Sequence, residues 1–241
     1  MKVTMKIRRF NPATDAEASY REYPIEIAAT DRVLDGLEYI KSFVDGSLSF
    51  RRSCGHGVCG SDAMVINGKE RLACKTLVQE VADFDGAVVT IEPVRHFPVQ
   101  RDLMVDQTAF FESYRKVSPF LINETAVESG KERVQTQIQR QTFDDETNCI
   151  LCGSCYSACP VLDVNSQYLG PAAIVQASRF INDSRDAGLG PRLAVLNDPN
   201  GIWPCDNHFD CTRVCPREIK VTKTINLMKR KITKQLESKK V

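Results

Sequence analysis

The sequence predicts an α+β protein of two domains: a small mixed sheet packed on a helix over residues 1–106, then a mainly α-helical domain over 107–241. Three observations predict this. Much of the first hundred residues alternates apolar and polar side chains, as half-buried strands do, and from Asp106 onward the apolar spacing becomes helical. The only internal repeat is a pair of cysteine runs in the last hundred residues.

In chain order, residues 3–7 and 23–27 alternate as strands. Thr30-Asp31 then caps a helix whose apolar positions Val33, Leu34, Leu37, Ile40 and Val44 recur at helical spacing. Residues 63–66 and 71–74 flank Asn67-Gly68, the strongest hairpin signal in the chain, and 87–91 form a last strand. Beyond 106, Phe110, Phe111, Tyr114 and Val117 share one side of a helix, and the polar stretch 124–141 crosses the surface. Residues 171–181 read as a helix between the two cysteine runs. A final helix after Pro216 carries Ile225, Leu227, Met228 and Ile232.

Composition narrows the class. Of 241 residues, 42% are hydrophobic and 26% charged, as in ordinary globular proteins. The opening residues lack the apolar stretch of a secretory signal, and no apolar run reaches the ~18 residues that cross a bilayer. Ten cysteines in a reducing compartment point to thiolate chemistry rather than disulfides. The net charge of +1 is unevenly spread: residues 217–241 hold nine Lys/Arg and two Asp/Glu, which is +7 against −6 elsewhere. Such a tail suits either anionic headgroups near a membrane partner or a plain solvated helix end.

The first run is Cys149-x2-Cys152-x2-Cys155-x3-Cys159-Pro160, and the second is Cys205-x5-Cys211-x3-Cys215-Pro216. Clustered thiolates suit zinc or iron–sulfur. A doubled run with a proline after its last cysteine is the two-cluster ferredoxin pattern, in which the fourth Cys of each run ligates the other cluster. Cross-ligation gives Cys149, Cys152, Cys155 and Cys215 to a [4Fe–4S] cluster. Cys159, Cys205 and Cys211 then face a second cube with three thiolates only, because His208 stands at the second position of the second run, where a cysteine belongs. Three ligands favour [3Fe–4S]; the other option is that the His208 imidazole holds a fourth iron.

The remaining cysteines follow the plant-type spacing Cys54-x4-Cys59-x2, with Asp62 in the third position and Cys74 as the distant fourth. A [2Fe–2S] cluster on three cysteines and one aspartate fits, with Asp62 either a ligand or a hydrogen-bonding neighbour. Glycines at 55, 57 and 60 let backbone N–H groups approach sulfide. The string Gly55-His56-Gly57-Val58-Cys59-Gly60 also matches G-x-G-x-x-G, but a hairpin follows it rather than a helix, which rules out dinucleotide binding. No nucleophile–base pair or carboxylate dyad with a recognisable motif is present.

With a plant-type cluster domain ahead of a two-cluster domain, the chain resembles the iron–sulfur subunits of succinate dehydrogenase and fumarate reductase from its first strand to its last helix. Residues 53–62, 72–76, 170–173, 183–186 and 200–205 all look like that family. The resemblance implies a β-grasp plant-type ferredoxin domain and a bacterial ferredoxin-like helical domain. It supports Asp62 as a ligand, since aspartate occurs there in the family. It also implies a flavoprotein partner with covalent FAD, membrane anchor subunits with or without haem, a quinone at the membrane end, and no nucleic acid. The chain would sit at the cytoplasmic face of the cell membrane through those anchors, passing electrons through [2Fe–2S], [4Fe–4S] and [3Fe–4S] in turn. Dicarboxylate chemistry would belong to the flavoprotein. At the quinone end, Val161-Leu162-Asp163-Val164 lacks the Trp of many succinate dehydrogenases and looks closer to fumarate reductases, in some of which a Lys of the final helix reaches the quinone. Lys229 stands at that position with Asn226 one turn before it; the competing reading is one more charge in a basic helix. Other functions to weigh are a free ferredoxin-like carrier and the iron–sulfur subunit of a soluble, thiol-linked fumarate reductase.

Overall fold

The computed structural model describes residues 1–127 and 130–238; two residues of the polar stretch 124–141, and the last three of the basic tail, lie outside the described residues. The chain divides into two compact units. The first comprises Met1–Gln107 with Ile150–Ala158, and the second Thr108–Cys149 with Cys159–Val241. The second domain was expected to be continuous from 107, so the grouping of Ile150–Ala158 with the first unit is a departure.

In the first unit, β1 (Lys2–Arg9), β2 (Ser19–Glu26), α1 (Val33–Tyr39), β3 (Ala63–Ile66), β4 (Lys69–Leu72) and β5 (Ala87–Glu92) make a five-stranded mixed sheet and its helix. The strand order is β2-β1-β5-β3-β4, with β1 and β5 parallel at the centre and the other pairs antiparallel. Alternation explains the burial: Val3, Met5 and Ile7 of β1 point into the core, against Val33, Leu34 and Leu37 of α1. Asn67 and Gly68 both take positive φ, as a tight hairpin turn requires, and β4 begins at Lys69, earlier than expected. The helix expected over 33–44 runs α-helical to Tyr39 and finishes in a wider π-type turn, Ile40–Val44, which leaves Phe43 exposed. A short ribbon of β6 (Val99–Arg101) and β7 (Met104–Val105) completes the fold. Buried Asp102 accepts from Arg9 Nε at 3.0 Å and from the amides of Phe10 and Ser49 at 2.9 Å each, which fixes the chain just before the first cysteine loop.

The second unit is helical: α2 (Thr108–Lys116), α3 (Gln137–Gln141), α4 (Asp144–Thr147), then, beyond the first-unit turn α5 (Ser154–Ser157), α6 (Val161–Val164), α7 (Pro171–Ile181), α8 (Leu189–Leu196), α9 (Asp210–Arg213) and α10 (Val221–Ser238). All of α7 except Arg179 is buried, so this helix is the core of the unit, and Pro171 at its start has the φ a first turn needs. Ile225, Met228 and Ile232 of α10 are buried, whereas Leu227 lies outside the apolar stripe and is exposed. Glu146 of α4, itself buried, accepts from Ser178 Oγ of α7 at 3.1 Å and Thr224 Oγ1 of α10 at 3.4 Å, linking three helices. A buried ion pair, Arg192 to Asp186 at 2.6 Å, ties α8 to residues 117–122: Arg192 also donates to the carbonyls of Val117, Ser118 and Phe120.

Candidate iron–sulfur centres

The first cysteine loop wraps its own amides around its thiols. Cys54 Sγ accepts from the backbone N–H groups of His56, Val58 and Cys59, each at 3.4 Å. Cys59 Sγ accepts from the amides of Cys54 and Ser61 at 3.5 Å and lies 3.1 Å from Ser61 Oγ. The converging amides lower the Cys54 thiol to about 6. Negative charge on sulfur is therefore stabilised by donors already in place, as a cluster ligand requires.

Asp62 and Cys74 meet on the buried side. Asp62 is 2% exposed, and its Oδ2 accepts from the Cys74 amide at 2.5 Å. Its other oxygen, Oδ1, is buried with no hydrogen-bond partner. A buried carboxylate oxygen left unsatisfied costs about 1–3 kcal/mol or more, so native structures rarely keep one without an ion or water to meet it. Burial, with the carboxylate beside it, pushes the Cys74 thiol up to about 12. A thiol held protonated by burial gives up its proton when a cation binds its sulfur. The residues fit a [2Fe–2S] group with Asp62 as the fourth ligand. Accordingly, Asp62→Ala is expected to lose the first cluster, seen as a fall of about two iron atoms per chain and loss of its reduced-state paramagnetic signal. Asp62→Cys is expected to retain both. Full iron in the alanine variant would reduce Asp62 to a hydrogen-bond acceptor.

In the second unit, Cys159, Cys205 and Cys211 line one small pocket with His208, Pro160, Tyr168, Thr222 and Ile225. Burial pushes the Cys159 thiol up to about 11, and the nearby sulfurs of Cys211 and Cys205 add to the rise. Cys211 is raised for the same reasons, opposed by the Thr222 hydroxyl, whose Oγ1 lies 3.4 Å from Sγ. Three thiols thus share one partly desolvated place, and the second position of the run, His208, lines it too. Left-handed φ at Asn207 and Phe209 shapes the loop on either side of His208. Thr222 was not visible as part of this site in the sequence, because it arrives from the start of α10 by helix packing rather than by spacing. Ser61, two residues from Cys59, was equally unmarked.

Lys229 and Asn226, singled out for quinone, brace this loop from α10. Lys229 Nζ donates to the Cys205 carbonyl at 2.6 Å, and Asn226 Nδ2 to Asn207 Oδ1 at 2.9 Å. Of the other four cysteines, Cys152 and Cys155 belong to the first unit, and Cys149 and Cys215 to the second. The Cys149 amide bonds back to Glu146 O at 3.2 Å, and Cys152 Sγ lies 3.4 Å from Ser154 Oγ. Among the described residues, no three of His, Cys, Asp and Glu are spaced to hold a single metal ion.

Sheet domain, helical domain and cysteine loops together define an iron–sulfur electron-transfer protein. Residues 4–112 match the 2Fe-2S iron-sulfur cluster binding domain, and 146–219 match the 4Fe-4S dicluster domain. The chain is 40% identical to the fumarate reductase iron-sulfur subunit of Mycobacterium tuberculosis, over 90% of this chain and 87% of that one. It is 36% identical to the succinate dehydrogenase iron-sulfur subunit of Coxiella burnetii, over 98% and 99%. Its fold superposes on a chain of the Mycobacterium smegmatis Sdh1 complex with a TM-score of 0.87, at 26% identity, covering 97% of this chain and 96% of the other. The chain belongs to the family of fumarate reductase and succinate dehydrogenase iron–sulfur subunits.

Proposed function

We propose that this subunit conducts single electrons between the FAD of a flavoprotein partner and a membrane quinone. In this reading Cys54, Cys59, Asp62 and Cys74 hold [2Fe–2S], Cys149, Cys152, Cys155 and Cys215 hold [4Fe–4S], and Cys159, Cys205 and Cys211 hold [3Fe–4S], in that order from flavin to quinone. The observation that carries it is the three-thiol pocket: a doubled ferredoxin run with one thiolate replaced at His208. When bound, the clusters supply reversible one-electron storage without proton transfer to the protein. The chain's own residues supply ligands, amide donors to Cys54 and Cys59, and burial of Cys159 and Cys211. Hydride and proton exchange with the dicarboxylate belongs to the flavoprotein.

Among the described residues no helix is long and apolar enough to cross a membrane, so in this reading anchor subunits bring the chain to the cytoplasmic face. The Cys205–Phe209 loop braced by Lys229 and Asn226 is the end that meets quinone. Lys229→Ala is therefore expected to lower quinone-linked turnover severalfold while electron transfer to a soluble dye is kept; loss of both activities, or of neither, contradicts this role. The wider reading is tested by purifying the chain from its host. Co-purification of a flavoprotein and membrane subunits, with succinate–quinone or quinol–fumarate activity, is the expected result. A chain that purifies alone as an active carrier would overturn it.

A further inference from the structure

The segment Ile150–Ala158 carries Cys152 and Cys155, yet it is built into the sheet domain. Cys152 joins the apolar core of that domain, with Ile150 packed against it. Ser157 Oγ donates to buried Glu70 Oε1 at 2.9 Å and accepts from the Arg95 amide at 2.8 Å. Phe97 stacks against Tyr156 with ring centroids 5.1 Å apart and closes over Gly153, where an added Cβ would lie 2.9 Å from the ring. The segment is thus pinned by hydrogen bonds at Ser157 and by aromatic contact at Tyr156 and Gly153.

Its inner edge rests on the first cysteine loop at one residue. A Cβ placed on Gly60 would lie 2.6 Å from Cys152 Cβ, 2.9 Å from Cys152 Cα and 3.2 Å from the Ile150 carbonyl. These are mainly backbone and near-backbone atoms, which cannot swing aside as the end of a flexible side chain can. Gly60 directly follows Cys59, so this glycine adjoins a ligand of one proposed centre in sequence and a ligand of the next in space. The cysteine spacings explain why Cys59 and Cys152 are present, but not why the backbones of Gly60 and Cys152 come so close.

We propose that Gly60 is a positioning residue: lacking a side chain, it lets the Cys54–Cys59 loop rest directly on the backbone of Cys152, and this contact sets the separation of the first two cluster sites. The proposal rests on the cluster assignments above. Electron tunnelling and magnetic coupling both fall steeply with distance, so a displacement of a few tenths of an ångström, or a lost contact, is read directly by either. Gly60 also has φ +70°, which by itself disfavours any side chain. Gly86, in the same sheet domain but outside the cysteine loops, separates the two effects: its φ is also positive, +94°, but nothing lies within 4 Å of an added Cβ.

The test uses the holo-complex carrying Gly60→Ala or Gly86→Ala, with iron and sulfide content measured first. Its readout is the microwave power saturation of the reduced [2Fe–2S] signal, before and after the [4Fe–4S] centre is reduced. In the unaltered protein the signal should relax faster once its neighbour is paramagnetic. Gly60→Ala, with clusters loaded, should lose a measurable share of that enhancement, whereas Gly86→Ala should keep it. Undiminished enhancement in loaded Gly60→Ala overturns the proposal, and an equal loss in both variants assigns the effect to backbone strain and also overturns it. Should Gly60→Ala fail to load, Ser157→Ala is read instead. It frees the far side of the segment without touching either the loop or a cysteine; reduced enhancement in the loaded variant supports the proposal, and full enhancement contradicts it. If the unaltered complex shows no [2Fe–2S] or [4Fe–4S] signal, the cluster assignment itself fails, a result distinct from unchanged coupling between two centres that are both present.

Discussion

His208→Cys is expected to give the proposed three-iron centre a fourth iron. The substitution restores the full Cys-x2-Cys-x2-Cys-x3-Cys run over positions 205, 208, 211 and 215, and position 208 already lines the pocket shared by Cys159, Cys205 and Cys211. A fourth thiolate gives the open corner of the cube a ligand. The oxidised protein should then lose its [3Fe–4S] paramagnetic signal and gain about one iron atom per chain. An added thiolate also makes the centre more negative, which lowers its reduction potential, since net charge is one of the levers on such potentials. Quinone-linked turnover should fall as the last step becomes less well matched. Persistence of the oxidised-state signal at unchanged iron content would contradict the three-thiolate reading of this pocket.

Arg192→Met is expected to be the most damaging substitution outside the cysteines. Both members of the Arg192–Asp186 pair are almost wholly buried, at 0% and 1% side-chain exposure. Asp186 accepts in addition from the amides of Ile122 at 2.9 Å and Gly188 at 2.6 Å. Removing the guanidinium leaves a buried carboxylate without its counter-charge and strips the carbonyls of Val117, Ser118 and Phe120 of their donor. Breaking one side of such a pair costs about 3–5 kcal/mol. Because the protein has two units and bound clusters, a single unfolding free energy is poorly defined, and amide exchange is the better readout. Ile122 and Gly188 should exchange roughly two to three and a half orders of magnitude faster, at about 1.4 kcal/mol per tenfold. A change under about tenfold would show that Asp186 finds another partner.

Ligand sets and regular elements were legible to different depths. Spacing marks a candidate cluster ligand because cysteines two or three apart in a tight loop converge whatever surrounds them; Cys159, which comes from the other run, meets Cys205 and Cys211 in one pocket through the packing of the helical unit. The Asn67-Gly68 turn and α7 were readable for similarly local reasons: positive φ at two adjacent residues, and a proline opening an apolar run. What was not readable depends on distant packing. The assignment of Ile150–Ala158 to the sheet domain rests on Ser157 meeting Glu70 and on Gly60 meeting Cys152, pairings 87 residues and more than ninety residues apart. Helix α8 includes Gly190 and Pro191, which weigh against a helix locally; it forms because Arg192, Leu193 and Leu196 are buried. Asp62 lay between these cases: its place in the spacing was visible, but only the orphaned Oδ1 and the bond to the Cys74 amide give it a physical reason to bind iron.

Electron paramagnetic resonance of the isolated, air-oxidised holoprotein, with iron counted in the same sample, tests the central claim most directly. Of the three proposed centres, only a [3Fe–4S] cluster on Cys159, Cys205 and Cys211 is paramagnetic when oxidised. The predicted result is one such signal per chain, with about nine iron atoms in total. A fully loaded sample with no oxidised-state signal and about ten iron atoms would contradict it, and would place the His208 imidazole on a fourth iron.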